Sequence, residues 1–82
     1  MQLELPLLPT ATNNYDLKIY DTLVSKNRLT KYQAQFVLEH VSPIEISRTL
    51  HDIQLQVING KINNVGAYTV SVFRQRFNLT DL

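Results

Sequence analysis

The residue types that most often carry catalysis are sparse in this 82-residue sequence, which has two histidines and no cysteine. His40 and His51 fall on different predicted helices, and neither has a histidine partner at i+4 or a nearby carboxylate pair, as a metal site requires. No serine lies in a nucleophile-elbow pattern, and Gly60 and Gly66 are too few for a phosphate-cradling loop. We therefore expect no catalytic residue, no metal and no cofactor, and the sequence predicts a protein that is not an enzyme.

The basic residues form two clusters, each offering cations that could contact phosphates. The formal net charge is only +1, far from the basicity of a dedicated nucleic-acid-binding domain, so clusters this small are more typical of a solvated surface. One cluster surrounds a predicted turn and the other lies in the last quarter of the chain: Lys26, Arg28 and Lys31, and Lys61, Arg74 and Arg76.

The best-marked element runs from Ser42 to Asn59. Ser42 is a good N-cap, Pro43 suits the first helical position, and Glu45 can complete a capping box. Asn59-Gly60 supplies residues that tolerate positive φ, as a helix end requires. One face of this helix carries apolar residues at i, i+4, i+7 and i+11, with Thr49 beside them: Ile46, Leu50, Ile53 and Val57.

Two helices are predicted before it. The first covers residues 15–25 and presents the apolar residues Ile19, Tyr20, Leu23 and Val24 on one face. The second begins after Thr30, which forms a capping box with Gln33, and must stop by His40 or Val41 because Ser42-Pro43 restarts the chain.

The last segment is open to two interpretations. Helical spacing over more than three turns favours a helix from Val65 to Phe77, with Tyr68, Phe73 and Phe77 in the core rather than stacked on bases. The alternative is a β-hairpin across Asn59-Gly60. Residues 78–82 are predicted to fray.

The predicted fold is mainly α: a small four-helix domain at residues 15–82, preceded by an extended arm and linker at residues 1–14. Pro6 and Pro9 disfavour a helix in the arm. With 82 residues the chain is long enough for one modest core. It shows no membrane span or signal segment, and its lack of cysteine fits a cytoplasmic setting.

The sharpest local feature is the N-terminal run Gln2-Leu3-Glu4-Leu5-Pro6-Leu7. It resembles the hexapeptide form of the bacterial sliding-clamp-binding motif, Gln-Leu-x-Leu-Pro-Leu, which is found in the regulatory inactivator of the initiator DnaA and, in variant forms, in polymerases. The resemblance implies that the clamp-binding residues are Gln2, Leu3, Leu5 and Leu7. In the alternative, an edge strand packs Leu3, Leu5 and Leu7 against the helices.

A second resemblance covers the body, at residues 23–25, 29–34, 43–46, 61–68 and 73–74. These stretches resemble the C-terminal helical segment of plasmid replication initiators and, more distantly, DnaD-type helicase-loading domains. Val65-Gly66 replaces the proline-containing turn of many members, and the chain lacks an initiator's winged-helix domain, so origin recognition is not implied. The resemblance implies a replication context and contact residues in the last helix: Tyr68, Arg74 and Arg76.

The scarcity of catalytic residues and the two resemblances together imply a non-enzymatic adaptor of DNA replication that docks on the sliding clamp through its arm. Its body is expected to contact DNA or another replication protein, with Lys31 and Lys61 added to the contact residues. No membrane or small-molecule substrate is expected as a partner. The alternatives are a general protein-interaction or oligomerisation module, and a small DNA-binding domain of a plasmid or phage replication protein.

Overall fold

The computed structural model describes residues 14–82, with side chains from residue 16 onward. This range contains α1 (Asn14–Ser25), α2 (Lys31–His40), α3 (Pro43–Ile58) and α4 (Val65–Phe77). The prediction of a mainly α, four-helix body is confirmed. The alternative hairpin across Asn59-Gly60 is wrong, because residues 55–58 belong to α3, residues 61–64 form an irregular connection, and no strand occurs within residues 14–82. Residues 1–13 of the predicted arm lie outside the described residues, and its last residue, Asn14, is the first residue of α1.

The starts of α2 and α3 are fixed by local side-chain caps. Thr30 Oγ1 accepts a hydrogen bond from the backbone N–H of Gln33 at 3.1 Å, and Gln33 Oε1 accepts one from the N–H of Thr30 at 3.0 Å, so the predicted capping box is present. Ser42 Oγ accepts from the N–H of Glu45 at 3.4 Å. The Glu45 carboxylate lies 3.9 Å from Arg48 instead, so only half of the second predicted box forms.

The helix ends follow the turn residues. Gly60 has φ +73 and Asn78 has φ +58, the left-handed conformation that a helix C-terminus favours. Asn64 begins α4 by accepting a hydrogen bond from the N–H of Ala67 at 2.9 Å.

The core is built from one apolar face of each helix. The predicted face of α3 is confirmed, since Ile46, Thr49 and Ile53 are buried and Leu50 and Val57 pack against the core. Phe73 of α4 is fully buried, while Tyr68 and Phe77 are partly buried beside it. The other buried apolar residues of the helices and their connections are Ile19, Leu23, Leu29, Ala34, Val37 and Val41.

The segment after α4 is ordered against the body, so the predicted fraying of residues 78–82 is wrong. Leu79 and Leu82 are both buried. The left-handed residue Asn78 reverses the chain, and the N–H of Leu79 then donates to the carbonyl of Arg74 at 3.0 Å. Burial of two leucines offsets the loss of conformational entropy that would otherwise favour fraying.

Candidate nucleic-acid interface

The five contact residues predicted in the body do not form one site. Lys31 is the first residue of α2 and Lys61 lies in the turn between α3 and α4, and both side chains are exposed. Arg74 and Arg76 are two positions apart on α4 and therefore point about 200° apart around the helix. They belong to two different grooves.

Arg74 lies in a cleft between α4 and the loop that joins α1 to α2. The cleft has a volume of about 450 Å³. We call it the Arg28–Arg74 cleft; the residues that line it include Arg28, Gln33, Asn64, Gly66, Ser71 and Arg74. It brings together one arginine from each of the two basic clusters of the sequence.

The loop that carries Arg28 is fixed to α4 by a buried hydrogen bond. Asn27 Nδ2 donates to Thr69 Oγ1 at 3.1 Å, and these side chains are 8% and 0% exposed. On the other side of Arg28, Leu29 is buried and its N–H donates to the carbonyl of Leu23 at 3.0 Å. Arg28 itself has φ +63.

Gly66 lets the same loop approach the first turn of α4. A Cβ placed on Gly66 would lie 3.1 Å from the carbonyl oxygen of Arg28, closer than ordinary van der Waals contact. The close approach explains why α4 tolerates a glycine near its start, where the residue is otherwise unfavourable.

The second groove lies between α3 and α4 and contains Tyr68 and Arg76. Its volume is about 240 Å³. Arg76 Nη1 donates to Asp52 Oδ2 at 3.0 Å and to Thr49 Oγ1 at 3.2 Å. Thr49 is fully buried, and its hydroxyl donates to the carbonyl of Glu45 at 2.8 Å. Arg76 therefore links the two helices, a structural role that the basic spacing in the sequence did not reveal.

An aromatic row runs along α2. The ring centroids of Tyr32 and Phe36 are 6.1 Å apart, and those of Phe36 and His40 are 4.1 Å apart and stacked. His40 Nδ1 lies 2.9 Å from the carbonyl oxygen of Phe36, so this nitrogen donates when protonated.

Residues 14–82 contain no group of three or more histidine, aspartate or glutamate side chains that could hold a metal ion.

Sequence reasoning missed the residues that assemble the cleft. Asn27 lies in a segment without apolar periodicity, and Thr69 lies on a helix whose other signals are apolar. Nothing in the spacing of these two residues indicates that they meet. The predicted clamp-binding residues, Gln2, Leu3, Leu5 and Leu7, lie outside the described part of the chain.

Comparison with known proteins gave no match: no family model fits the chain, and no curated protein or solved structure is significantly similar to it. Among residues 14–82, no helix has both the length and the apolar character that spanning a bilayer demands.

Proposed function

We propose that the protein is a non-enzymatic adaptor of DNA replication that binds the bacterial sliding clamp through its N-terminal peptide. Its helical body contacts DNA or another replication protein. The observation that carries the proposal is the run Gln2-Leu3-Glu4-Leu5-Pro6-Leu7 and its resemblance to the clamp-binding hexapeptide.

The chemistry of this run suits a linear peptide ligand. Leucines at alternate positions supply apolar anchors for a preformed groove, the glutamine side chain supplies orienting hydrogen bonds, and proline lowers the entropy lost on binding. Six residues separate Leu7 from the start of α1 at Asn14, a spacer that can reach at most about 20 Å. The body therefore does not need to touch the clamp groove.

The test is a titration of labelled peptide, residues 1–11, against purified bacterial sliding clamp, followed by fluorescence anisotropy. We expect a dissociation constant of tens of micromolar or tighter, about 6 kcal/mol of binding free energy. Leu7→Ala should abolish the signal because it removes an anchor, whereas Leu8→Ala, just outside the motif, should preserve it. Absence of binding at tens of micromolar, or equal losses from the two variants, would refute clamp docking.

A second candidate is a protein-interaction or oligomerisation module. It is favoured by three exposed apolar residues on one face of α3, Ile44, Leu55 and Ile58, which are 61%, 47% and 68% exposed. Light scattering over a range of protein concentrations separates the two candidates, since self-association through this face raises the mean mass with concentration.

A further inference from the structure

We propose that the Arg28–Arg74 cleft binds a phosphodiester group of the DNA backbone. This inference rests on the part of the proposed function that gives the body a DNA or protein partner, and it deepens that part by naming the partner and the site.

The first argument is charge. Arg48 lies 3.9 Å from the carboxylate of Glu45, and Arg76 lies 3.0 Å from that of Asp52. Within residues 14–82, the other two arginines, Arg28 and Arg74, have no aspartate or glutamate partner, and no carboxylate side chain lines their cleft. Two guanidinium groups that share a cleft lined by no acidic side chain favour an anion between them.

The second argument is that both arginines sit on fixed supports. The Asn27–Thr69 hydrogen bond and the close approach at Gly66 hold the loop of Arg28 against α4. Arg74 Nη2 donates to the main-chain oxygen of Leu82, the last residue of the given sequence, at 2.9 Å, which leaves the other guanidinium N–H groups available. A site whose backbone is already in place loses less entropy when it binds a ligand.

The third argument concerns the neutral donors in the cleft. Gln33 Oε1 accepts from the N–H of Thr30, and Asn64 Oδ1 accepts from the N–H of Ala67. Both amides therefore keep their NH₂ groups as donors, and Ser71 adds a hydroxyl. Phosphodiester oxygens are acceptors, so a lining of donors without carboxylates matches them.

The surroundings favour a polyanion over a single acidic side chain. Lys26 and Lys31 lie two and three residues from Arg28, and both are exposed. The connection between α1 and α2, together with the first residue of α2, thus presents three cations within six residues, with no acidic residue among them. Several phosphates spaced along one strand can engage such a segment together.

The experiment measures binding of the full chain to a labelled DNA duplex by fluorescence anisotropy over a series of salt concentrations. Arg28→Gln should weaken binding about tenfold at 50 mM salt and make the negative slope of log K against log salt shallower by about 0.9, the value of one phosphate contact. Arg74→Gln should act similarly. Arg48→Gln is the matched control, because Arg48 lies on α3 and is paired with Glu45.

Arg28→Gly tests whether misfolding, and not the lost charge, causes the loss of DNA affinity. Glycine accepts the φ of +63 without strain, so this variant should keep its thermal midpoint and still lose affinity as Arg28→Gln does. Equal effects of Arg28→Gln and Arg48→Gln would overturn the proposal. Arg28-dependent binding of poly-glutamate without binding of DNA would assign the cleft to an acidic protein and would also overturn it. The clamp is absent from this assay, so its outcome is independent of the clamp titration.

Discussion

At the scale of single residues, the hydrogen bond between Asn27 and Thr69 positions the charge of its neighbour, Arg28. Both polar side chains are buried, so each must find a partner inside the protein. The bond joins residues 42 positions apart. The sequence offers no sign of it, because asparagine is a common residue in any turn. The partnership depends on how α4 packs, which residue type alone does not determine.

Thr69→Val tests the energetic weight of this bond. Valine keeps the volume of threonine and removes the acceptor, which leaves the amide of Asn27 unsatisfied. The free energy of unfolding should fall by about 1–3 kcal/mol, measured by urea denaturation. The exposed residue Thr80 provides the control, and Thr80→Val should stay within about 0.5 kcal/mol of the parent. A Thr69→Val protein as stable as the parent would mean that water satisfies the amide and that the bond does not hold the loop.

At the scale of elements, the predictable features are those encoded within one helical turn. The cap of Thr30 with Gln33 and the start at Ser42-Pro43 involve residues at most three positions apart, and the sequence therefore predicts them. The turn that follows α3, where Gly60 has a positive φ, belongs to the same class. The contact between α4 and the loop of Arg28 is different in kind. From the sequence alone, Gly66 is only a residue that destabilises a helix. The structure shows that the carbonyl oxygen of Arg28 leaves little room for a larger residue there.

At position 66 we expect alanine to be less stable than glycine, the reverse of their usual ranking in a helix. Alanine normally stabilises a helical position by about 1 kcal/mol relative to glycine. At Gly66 its Cβ would lie 3.1 Å from the Arg28 carbonyl oxygen, and the Asn27–Thr69 bond restrains that backbone from moving away. We therefore expect a net loss of unfolding free energy.

The neighbouring exposed residue Ala67 supplies the control for this substitution. Ala67→Gly should cost about 0.5–1 kcal/mol, the ordinary penalty for glycine in a helix. Stabilisation of the protein by Gly66→Ala, measured in the same urea series, would show that the loop yields and that the position of Arg28 is not fixed.

At the scale of the whole molecule, the sequence predicts the helix count and the buried apolar residues of α1 and α3, because apolar periodicity reports which face of each helix turns inward. It does not predict which outward residues share a groove. Arg74 and Arg76 look equivalent as neighbouring basic residues, yet one lies beside Arg28 and the other bonds to Asp52. This distinction depends on helix packing, as does the burial of Leu79 and Leu82.

Deletion of residues 2–7 tests the division of labour between arm and body. Every helix of the described region contributes buried residues to one core, so the body should fold without the arm. If the arm is a ligand for the clamp, its removal should leave the thermal midpoint within about 2 °C of the parent, since a loss of 1 kcal/mol would shift it by roughly 4–8 °C. The same deletion should abolish clamp binding and leave the salt-dependent affinity for DNA intact.

Glu4→Ala, at the variable position of the motif, is the control and should change neither the thermal midpoint, nor clamp binding, nor DNA affinity. A midpoint lowered by several degrees would mean that Leu3, Leu5 and Leu7 pack against the helices, as the edge-strand alternative requires.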